Sequence, residues 1–573
     1  MNATQLLAHF DRLAEAPNAV PRLRRFILNL AVRGKLVEQD AGDEPAVELM
    51  KRIQSGKAIR IKSGEVRNPR DLTFLESEAP PFLLPPLWNW VRLADVGAII
   101  GGGTPPAGDA ANFTDGGKGI GWLTPADLGK HKGLFVSHGI RDLTETGMKA
   151  GSATLMPKGS VLFTSRAPIG YVAIAANKIS TNQGFKSVVP YLDECSRYIA
   201  TYLQAFGPQI DSQATGTTFK EVSGKIVSGL PFPLPPLAEQ HRIVAKVDEL
   251  MALCDQLEAV QQERERRRDR LASASLQRLN QPAADTPPEA QREHARFHLH
   301  HLPRLTTRPE HIKAMRQTIL NLAVSGKLLE QAVDAEPASA LLKRLQVDIK
   351  SYGVQNRVHP ATINAIPDSA PPYLLPGGWI WTRLASLCRV VTDGDHLPPP
   401  KSANGVAFLT IGNVSSGALS FANSRYVSQE YFDKITPYRK PELGDILYTV
   451  VGASYGRPVL VETDQPFCVQ RHIAILKPAA DLQLRYLHLL LKSQLVYDQA
   501  TASLTGTAQP TIPLRPLRNF LVPLPPLAMQ HRIVAKVDDL MALCDQLEAQ
   551  LTIIQTDSGQ LLEAVLDAAL TPA

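Results

Sequence analysis

Residues 233–259, PLPPLAEQHRIVAKVDELMALCDQLEA, recur at residues 523–549 as PLPPLAMQHRIVAKVDDLMALCDQLEA. Only two positions differ, and one of them replaces Glu239 with Met529. Near-identity over such a length within one chain is the mark of an internal repeat, which has to be identified before any local pattern is interpreted.

Two further pairs of segments repeat at nearly the same spacing. ILNLAVRGKLVEQ begins at Ile27 and ILNLAVSGKLLEQ at Ile319, while APPFLLPPLWNW begins at Ala79 and APPYLLPGGWIW at Ala370. A period of about 290 residues is too long for one supersecondary repeat, so each copy must hold whole domains. The sequence therefore predicts one unit written twice, with a pseudo-twofold relation between the copies.

Each copy has the same order of segments: a helical hook, a linker, a variable block and a long helix. The variable blocks are rich in Gly, Pro, Thr, Val and Ile in short alternating runs, which predicts strand-rich mixed α/β domains within an α+β chain. The predicted segments are a hook and linker at 1–87, a block at 88–232, a helix at 233–280, a linker at 281–310, a second hook and linker at 311–378, a second block at 379–522 and a second helix at 523–573.

Both long helices carry an apolar stripe with alternating spacings of four and three residues, which is typical of a coiled-coil seam. In the second helix the stripe continues to Leu551 and Ile554, where the first helix has the charged run ERERRRDR at 263–270. That run fits a solvated helix face, a contact to nucleic acid or a contact to a partner subunit. The predicted interface residues are Ile243, Val247, Leu250 and Leu257 in the first helix and Ile533, Val537, Leu540 and Leu547 in the second.

Composition excludes several classes of protein. The 573 residues exceed one small domain, and a net charge of +6 permits an anionic partner without requiring one. No membrane-length apolar run or secretory signal is present, so a cytoplasmic protein is expected. The five cysteines form no CxxC pair, which predicts reduced, buried thiols. The histidine-rich segment is predicted to be a solvated linker and not a metal site, and its histidines are His294, His298, His300 and His301.

Catalytic motifs are missing from the sequence. There is no GxxxxGK[ST] loop, GGKGIG at 116–121 does not fit GxGxxG, and no HExxH or methyltransferase [ND]PP-aromatic tetrapeptide occurs. Asp393 and Asp395 in VTDGDHLPPP are interpreted as turn residues, not as an acid/base or metal pair. We therefore predict no catalytic residues, no metal site and no cofactor on this chain.

The chain resembles the specificity subunit of type I restriction-modification systems. The duplicated PPLAEQHRIVAKVD and PPLAMQHRIVAKVD elements and the twin LAVRGKL and LAVSGKL segments carry the resemblance, and Met529 departs from the usual glutamate. The motifs within the blocks also resemble those of target recognition domains: SRAPIG at 165–170, TNQGFK at 181–186 and TGT at Thr215–Thr217, then VGASYGR at 451–457, CVQRH at 468–472 and TGT at Thr505–Thr507.

This resemblance implies a non-catalytic reader of double-stranded DNA, in which each block is a target recognition domain for one half of a bipartite site. It further implies that the two long helices pack antiparallel as a coiled coil, set the spacer and dock two modification subunits, which restriction subunits join. S-adenosylmethionine, ATP and Mg²⁺ would then belong to the partner subunits, and no membrane would be involved.

Both blocks carry a basic excess, which suits phosphate contacts. Residues 88–232 contain 13 Lys and Arg against 10 Asp and Glu, and residues 379–522 contain 14 against 10. The loops at 101–106 and 393–400 hold matching positions after the first strands, where they either approach a groove or simply connect elements. The candidate DNA-binding residues are Arg166, Asn182, Gln183 and Lys186 in the first block and His396, Arg457, Gln470, Arg471 and His472 in the second.

Two other classes of function stay open at this stage. A coiled-coil scaffold explains the helices but not the divergent basic blocks, and a DNA-binding subunit of another methylation-based defence complex, without restriction, would need the same parts. A self-contained nuclease or methyltransferase would require the catalytic motifs that are missing.

Overall fold

The computed structural model divides the chain into two compact units, residues 1–263 with 555–573 and residues 264–554. Each long helix therefore begins in one unit and ends in the other. The residues it describes are 16–67, 81–166, 168–212, 214, 220–280, 290, 293–294, 297–298, 301, 304–331, 336–359, 361–395, 400, 402–506 and 509–570.

The first copy contains eight helices and eleven short strands in its described part. The helices are α1 (Ala19–Val32), α2 (Ala46–Lys62), α3 (Leu93–Val96), α4 (Pro125–Lys130), α5 (Glu145–Ala150), α6 (Ser196–Ser212), α7 (Gly224–Gly229) and α8 (Leu237–Asn280). The strands are β1 (Asn89–Arg92), β2 (Gly97–Gly101), β3 (Phe113–Asp115), β4 (Gly121–Leu123), β5 (Phe135–Val136), β6 (Arg141–Leu143), β7 (Val161–Phe163), β8 (Val172–Ala175), β9 (Ile179–Thr181), β10 (Lys186–Pro190) and β11 (Pro231–Leu234).

The second copy follows the same plan with seven helices and nine strands in its described part. The helices are α9 (Pro309–Val324), α10 (Ala338–Asn356), α11 (Gln429–Lys434), α12 (Leu484–Leu491), α13 (Gln494–Ala502), α14 (Leu514–Arg518) and α15 (Leu527–Leu570). The strands are β12 (Ile380–Arg383), β13 (Cys388–Asp393), β14 (Val406–Leu409), β15 (Arg425–Val427), β16 (Ile446–Thr449), β17 (Pro458–Leu460), β18 (Phe467–Val469), β19 (Ile473–Pro478) and β20 (Leu521–Leu524).

The main sheets of the two variable blocks share the order of four strands despite their divergent sequences, and the first sheet has β5 as an additional fifth strand. Strands β2-β10-β7-β8-β5 form the main sheet of the first block, and β13-β19-β16-β17 form that of the second. Each block also has a parallel pair, β4 with β9 and β14 with β18. The strand that enters a block pairs antiparallel with the strand that leaves it, β1 with β11 and β12 with β20. Each block therefore starts and finishes at one place, directly before its long helix.

The apolar stripe of each long helix lies in the core of the unit in which that helix begins. Ile243 and Val247 are buried in the first core, where Leu250 and Leu257 pack against them at its edge. The second helix repeats this arrangement, but Ile554, which we predicted to continue the stripe, is 60% exposed. The prediction that Ile554 belongs to the apolar stripe was therefore wrong, whereas Leu551 does pack against the core. The buried residues of the second stripe are Ile533 and Val537, with Leu540 and Leu547 at the edge.

The hook helices α1 and α9 are held to the long helices by equivalent ion pairs. Arg24 of α1 lies 2.6 Å from Asp255 and 2.8 Å from Glu258 of α8. Arg316 of α9 makes the same contacts on α15, with both carboxylates at 2.6 Å; these belong to Asp545 and Glu548. Because the same three residue types recur in the same geometry, the hooks are part of the repeated framework.

The C-terminal end of each long helix contacts the unit in which that helix ends. In the first unit, Leu562 and Val565 of α15 are buried with Ala16 and Ala19. In the second, the Asn280 side chain at the end of α8 donates to Thr318 of α9 at 2.8 Å. Each hook helix therefore contacts the middle of one long helix and the end of the other.

Glu239, whose replacement by Met529 broke the predicted motif, has a structural role. Its carboxylate accepts from the Trp88 indole at 2.8 Å and from the Gln39 amide at 2.7 Å, and the side chain is buried. In the second unit the equivalent indole of Trp379 instead donates to the amide oxygen of Gln331 at 2.8 Å. A rotated glutamine thus replaces the carboxylate, and the tryptophan keeps a partner in both copies.

One histidine of the predicted linker, His298, is buried, which corrects the solvated interpretation for this residue. His298 is 5% exposed and shares a 2.9 Å hydrogen bond with Ser275 of α8. The charged run also has partners, because Asp269 lies 3.2 Å from Arg308 and 2.9 Å from His311. A run of polar residues cannot reveal such pairing by itself. His300 lies outside the described residues.

The five cysteines are free and buried, as predicted. Burial raises the pKa of the Cys195 and Cys468 thiols to about 12, so these thiols stay protonated and unreactive at neutral pH. Within the described ranges no group of three or more His, Cys, Asp or Glu side chains is arranged to hold a metal ion. Over the same residues, none of the helices combines the length and the apolar character that crossing a bilayer requires.

Candidate nucleic-acid interface

Three segments of the first block meet at the end of its main sheet: the loop after β7, the turn between β9 and β10, and the residues before α7. The Ser165 amide donates to the Gly184 carbonyl at 2.8 Å, and the Ser165 carbonyl accepts from the Val222 amide at 2.9 Å. Arg166 pairs with Glu221 in an isolated antiparallel bridge. The SRAPIG and TNQGFK motifs are therefore adjacent in space.

The second block builds the same junction from different residues. The Val450 amide donates to the His472 carbonyl at 3.1 Å, and the Val450 carbonyl accepts from the Ile512 amide at 2.8 Å. Val451 pairs with Thr511 as Arg166 pairs with Glu221. The VGASYGR and CVQRH motifs thus occupy the places of SRAPIG and TNQGFK.

Backbone hydrogen bonds fix which turn residues are equivalent. The Asn182 amide donates to the Leu123 carbonyl of β4 at 2.9 Å, and the Gln470 amide donates to the Leu409 carbonyl of β14 at 3.1 Å. The three-residue turn that begins at Asn182 therefore corresponds to the one that begins at Gln470. One turn reads Asn-Gln-Gly and the other Gln-Arg-His, so the frame is constant while the side chains change.

The loops after the first strands approach these turns closely. Gly101 pairs with Lys186 and Asp393 with Ala474, which confirms that the loops hold matching positions. A Cβ on Gly102 would lie 2.0 Å from the carbonyl oxygen of Asn182. A Cβ on Gly394 would lie 2.0 Å from the carbonyl oxygen of Val469. Only glycine permits this contact between backbones, so the second residue of each loop has a packing role.

The polar side chains of the first turn have partners of different kinds. Asn182 Oδ1 accepts from the Gly184 amide at 2.9 Å, which is turn stabilisation. Gln183 is exposed and its amide oxygen accepts from the Thr104 hydroxyl. Gln183 is thus the turn residue whose amide group faces solvent beside the glycine-rich loop.

The two basic candidates of the first block lie beside one carboxylate. The Lys186 ammonium is 3.4 Å from Glu221, and its side chain is 18% exposed. Arg166 is half-buried and forms the backbone bridge to the same glutamate. Glu221 offsets part of the positive charge that the sequence placed here.

In the second block the corresponding turn is more basic. Arg457 and Arg471 are exposed, and the Arg457 guanidinium donates to the Ser415 carbonyl. Burial, and then the neighbouring Arg471 cation, lower the pKa of His472 below its ordinary value. His472 is therefore neutral at physiological pH, with one donor and one acceptor on its ring.

The DGD segment lies against this turn. Asp395 pairs with Gln470 in an isolated parallel bridge, and the Tyr431 hydroxyl donates to its carboxylate. Its neighbour His396 lies outside the described residues, as do Thr215–Thr217 and Thr507. For every candidate DNA-binding residue, contact with DNA stays a prediction.

One exposed aromatic residue was missed by the sequence analysis. The Tyr171 amide donates to the Thr164 hydroxyl at 2.9 Å, and the Arg457 amide donates to the Thr449 hydroxyl at 3.0 Å. Tyr171 therefore holds the position of Arg457, and its side chain is 40% exposed. The glycine of positive φ before each residue was the available signal, but tyrosine and arginine do not align by type.

Two such junctions on one backbone frame, each followed by the same long helix, define a protein with two equivalent domains whose turn residues differ. The comparisons agree: residues 85–265 and 379–555 match the family model for the type I restriction modification DNA specificity domain, and the chain belongs to this family.

The chain is similar along most of its length to proteins of known name. It is 28% identical to the type I restriction enzyme EcoEI specificity subunit of Escherichia coli, with 96% of this chain and 94% of that protein covered. Against the EcoAI specificity subunit of Escherichia coli it is 27% identical, with the same coverage. Alignment with the crystal structure of the HsdS subunit from Thermoanaerobacter tengcongensis gives a TM-score of 0.41 at 22% identity and covers 86% of this chain and 98% of that chain.

The predicted resemblance is thereby confirmed. The chain is a type I restriction-modification specificity subunit with two DNA-specificity domains. The coiled-coil scaffold and the non-restriction alternatives are not favoured.

Proposed function

We propose that each DNA-specificity domain reads one half of a bipartite duplex site, while the two long helices set the spacer and dock two modification subunits. The observation that carries this proposal is the pair of equivalent junctions, in which the same backbone frame presents Asn-Gln-Gly in one block and Gln-Arg-His in the other. A constant frame with variable side chains is what two readers of different half-sites require.

The exposed side chains suit base edges in the major groove. Arg471 and Arg457 can each donate two hydrogen bonds to the N7 and O6 atoms of guanine, and Gln183 can pair with the N6 and N7 atoms of adenine. The neutral His472 can donate to or accept from a base. Each such bidentate contact discriminates against a wrong base by about 1–3 kcal/mol. The basic excess of each block supports phosphate contacts that give affinity without sequence preference.

The catalytic steps belong to partners in this proposal. Modification subunits bring S-adenosylmethionine and methylate adenine in each half-site, and restriction subunits bring ATP and Mg²⁺. The target adenine must leave the base stack, at a cost of a few kcal/mol that the assembled complex bears. The specificity subunit contributes recognition in the cytoplasm and no catalytic group.

Selection from a random duplex library tests the proposal. The full chain, assembled with its modification subunits, is expected to enrich two constant half-sites separated by a constant gap. Gln183→Ala should relax one half and Arg471→Ala the other, while Lys178→Ala, at the opposite end of β9, should relax neither. Enrichment of one contiguous site, or relaxation of both halves by one substitution, would contradict the assignment of one half to each domain.

A further inference from the structure

The second unit contains a large cleft between α10, β13 and α14. Its volume is about 980 Å³. Among its lining residues, all within the described part of the chain, six are basic and none is Asp or Glu. The basic residues are Lys350, Arg357, His359, Arg389, Arg439 and Arg518.

Only part of this charge is compensated. Arg389 donates twice to Asp348 at 2.8 Å, and Arg439 lies 3.7 Å from Asp393. Within the described ranges, no carboxylate lies within 4.0 Å of the other two arginines or of Lys350. A cleft with several uncompensated cations favours an anion with more than one charge.

One of these cations is oriented by a backbone carbonyl, and another follows α10 in an unusual backbone conformation. The Arg518 guanidinium donates to the Val391 carbonyl through Nε at 3.0 Å and Nη2 at 2.7 Å, which fixes its orientation without neutralising it. Arg357 ends α10 in the left-handed conformation, with φ of 53°. Residues with a Cβ avoid that conformation, and in the first unit the turn that follows the corresponding helix uses Gly64 at φ 75°.

The features that make the cleft basic in the second unit are not repeated at the equivalent described positions of the first. Arg389 is the extra residue of a register shift between Cys388 and Val390 in the pairing of β13 with β19. The pairing of β2 with β10 runs without such a shift. Ala58 and Ser228 occupy the positions of Lys350 and Arg518 in the first copy. Duplication of the fold therefore does not explain the basic residues.

The cleft lies next to the junction of the second block. The Arg439 guanidinium, at its edge, donates to the Gly394 carbonyl at 3.4 Å. Gly394 in turn lies against the turn at Val469. An extended polyanion held at the junction could thus continue into the cleft.

We propose that this basic cleft binds backbone phosphates of the duplex that flanks the half-site read by the second domain, an inference that rests on the proposed function. Phosphate oxyanions match the planar donors of arginine and the point charge of lysine. The contact would strengthen binding and its salt dependence and would leave the base preference unchanged.

Fluorescence anisotropy tests the cleft on the full chain, with a duplex that carries the selected site and flanks on both sides. Lys350→Gln, Arg357→Gln and Arg518→Gln together should weaken binding roughly 10- to 100-fold near 0.1 M salt. They should also lower the slope of log affinity against log salt by about 2 to 3. Library selection with the variant should return the same two half-sites. The matched control replaces Lys62, Lys158 and Lys178, three exposed lysines of the first unit, by glutamine.

Further measurements distinguish duplex phosphate from free phosphate as the ligand and test whether the variants are folded. The double variant Lys350→Gln with Arg357→Gln alters only exposed side chains, and it should lower the slope by about 2 with an unchanged melting temperature. On a duplex cut at the second half-site the variants should match the wild type. An unchanged slope of log affinity against log salt with the flanked duplex would overturn the cleft assignment. The assignment would also be overturned if inorganic triphosphate alone raised the melting temperature of the wild type and not that of the variants. Absence of specific binding by the wild type would instead count against the proposed function.

Discussion

The Glu239 site allows a sharp prediction because the second copy already contains the substituted form. Glu239→Met places in the first unit the residue that stands at the same position as Met529. Gln39 can then rotate and offer its amide oxygen to the Trp88 indole, as Gln331 does for the second tryptophan. The glutamine amide can still donate to the backbone of its own hook, because Gln331 donates to Gly326 at 2.9 Å.

The magnitude follows from the contacts exchanged. The substitution removes two hydrogen bonds to a charged acceptor, worth about 1.5–3 kcal/mol each, and it also removes a buried carboxylate whose desolvation costs several kcal/mol. Burial indeed raises the pKa of Glu239 despite both hydrogen bonds. With the new indole–amide bond, we expect a net change within about 1 kcal/mol. Glu239→Met combined with Gln39→Ala leaves the indole without an acceptor and should cost about 1–3 kcal/mol more.

Differential scanning calorimetry of the full chain measures these differences in the transition of the first unit. Gln331→Ala serves as the matched control, since it removes the acceptor in the second unit and should shift the other transition. A loss above about 3 kcal/mol for Glu239→Met alone would show that the carboxylate is required in its own right. Additive losses from Glu239→Met and Gln39→Ala would likewise refute the compensation by rotation.

Three further predictions concern stability and spacing. Leu250→Asp should destabilise the first unit by about 2–4 kcal/mol and reduce assembly with partner subunits, whereas Leu253→Asp, at a position 51% exposed, should change thermal stability little. Burial holds the pKa of His488 at about 4, below the 6.5 of the unfolded chain, so stability is complete above pH 6.5 and falls as pH drops toward 4. His488→Gln should remove on the order of 2 kcal/mol of that pH dependence in urea unfolding at pH 7 and 5, and a variant with an unaltered pH profile would refute it. One heptad inserted after Leu257 and at the equivalent point of α15 lengthens each of the two long helices by about 10 Å. The gap between half-sites in methylation maps should grow by up to about 3 base pairs, and an unchanged gap with full activity would mean that the helices do not set the distance.

The long helices and the repeat could be predicted because their signals are local in the sequence. The first long helix begins at Leu237, within the predicted segment 233–280, because the two prolines that precede it end the strand and permit a helix to begin. The reduced, buried cysteines were predicted from the lack of any CxxC pair. Burial of residues such as Ile243 depends on spacing along one helix, which a sequence displays directly.

The junctions needed the structure because they depend on hydrogen bonds between distant segments. The equivalence of Tyr171 with Arg457 rests on backbone pairing, and nothing in the two side chains suggests it. The bulge that turns Arg389 toward Asp348 is a register shift of one residue between strands far apart in the chain. The burial of His298 required the tertiary contact with Ser275. Local pattern therefore predicts elements, while the residues of the site are assembled by tertiary contacts.

Replacement of the first block by the second tests most directly whether each domain reads its own half-site. The variant carries residues 379–522 in place of residues 88–232, joined where the entering and leaving strands pair in both copies. Methylation mapping with the modification subunits should then show a site made of two copies of the half-site of the second block, with its spacer retained. Retention of the original unlike halves by a folded, assembled variant would contradict the account.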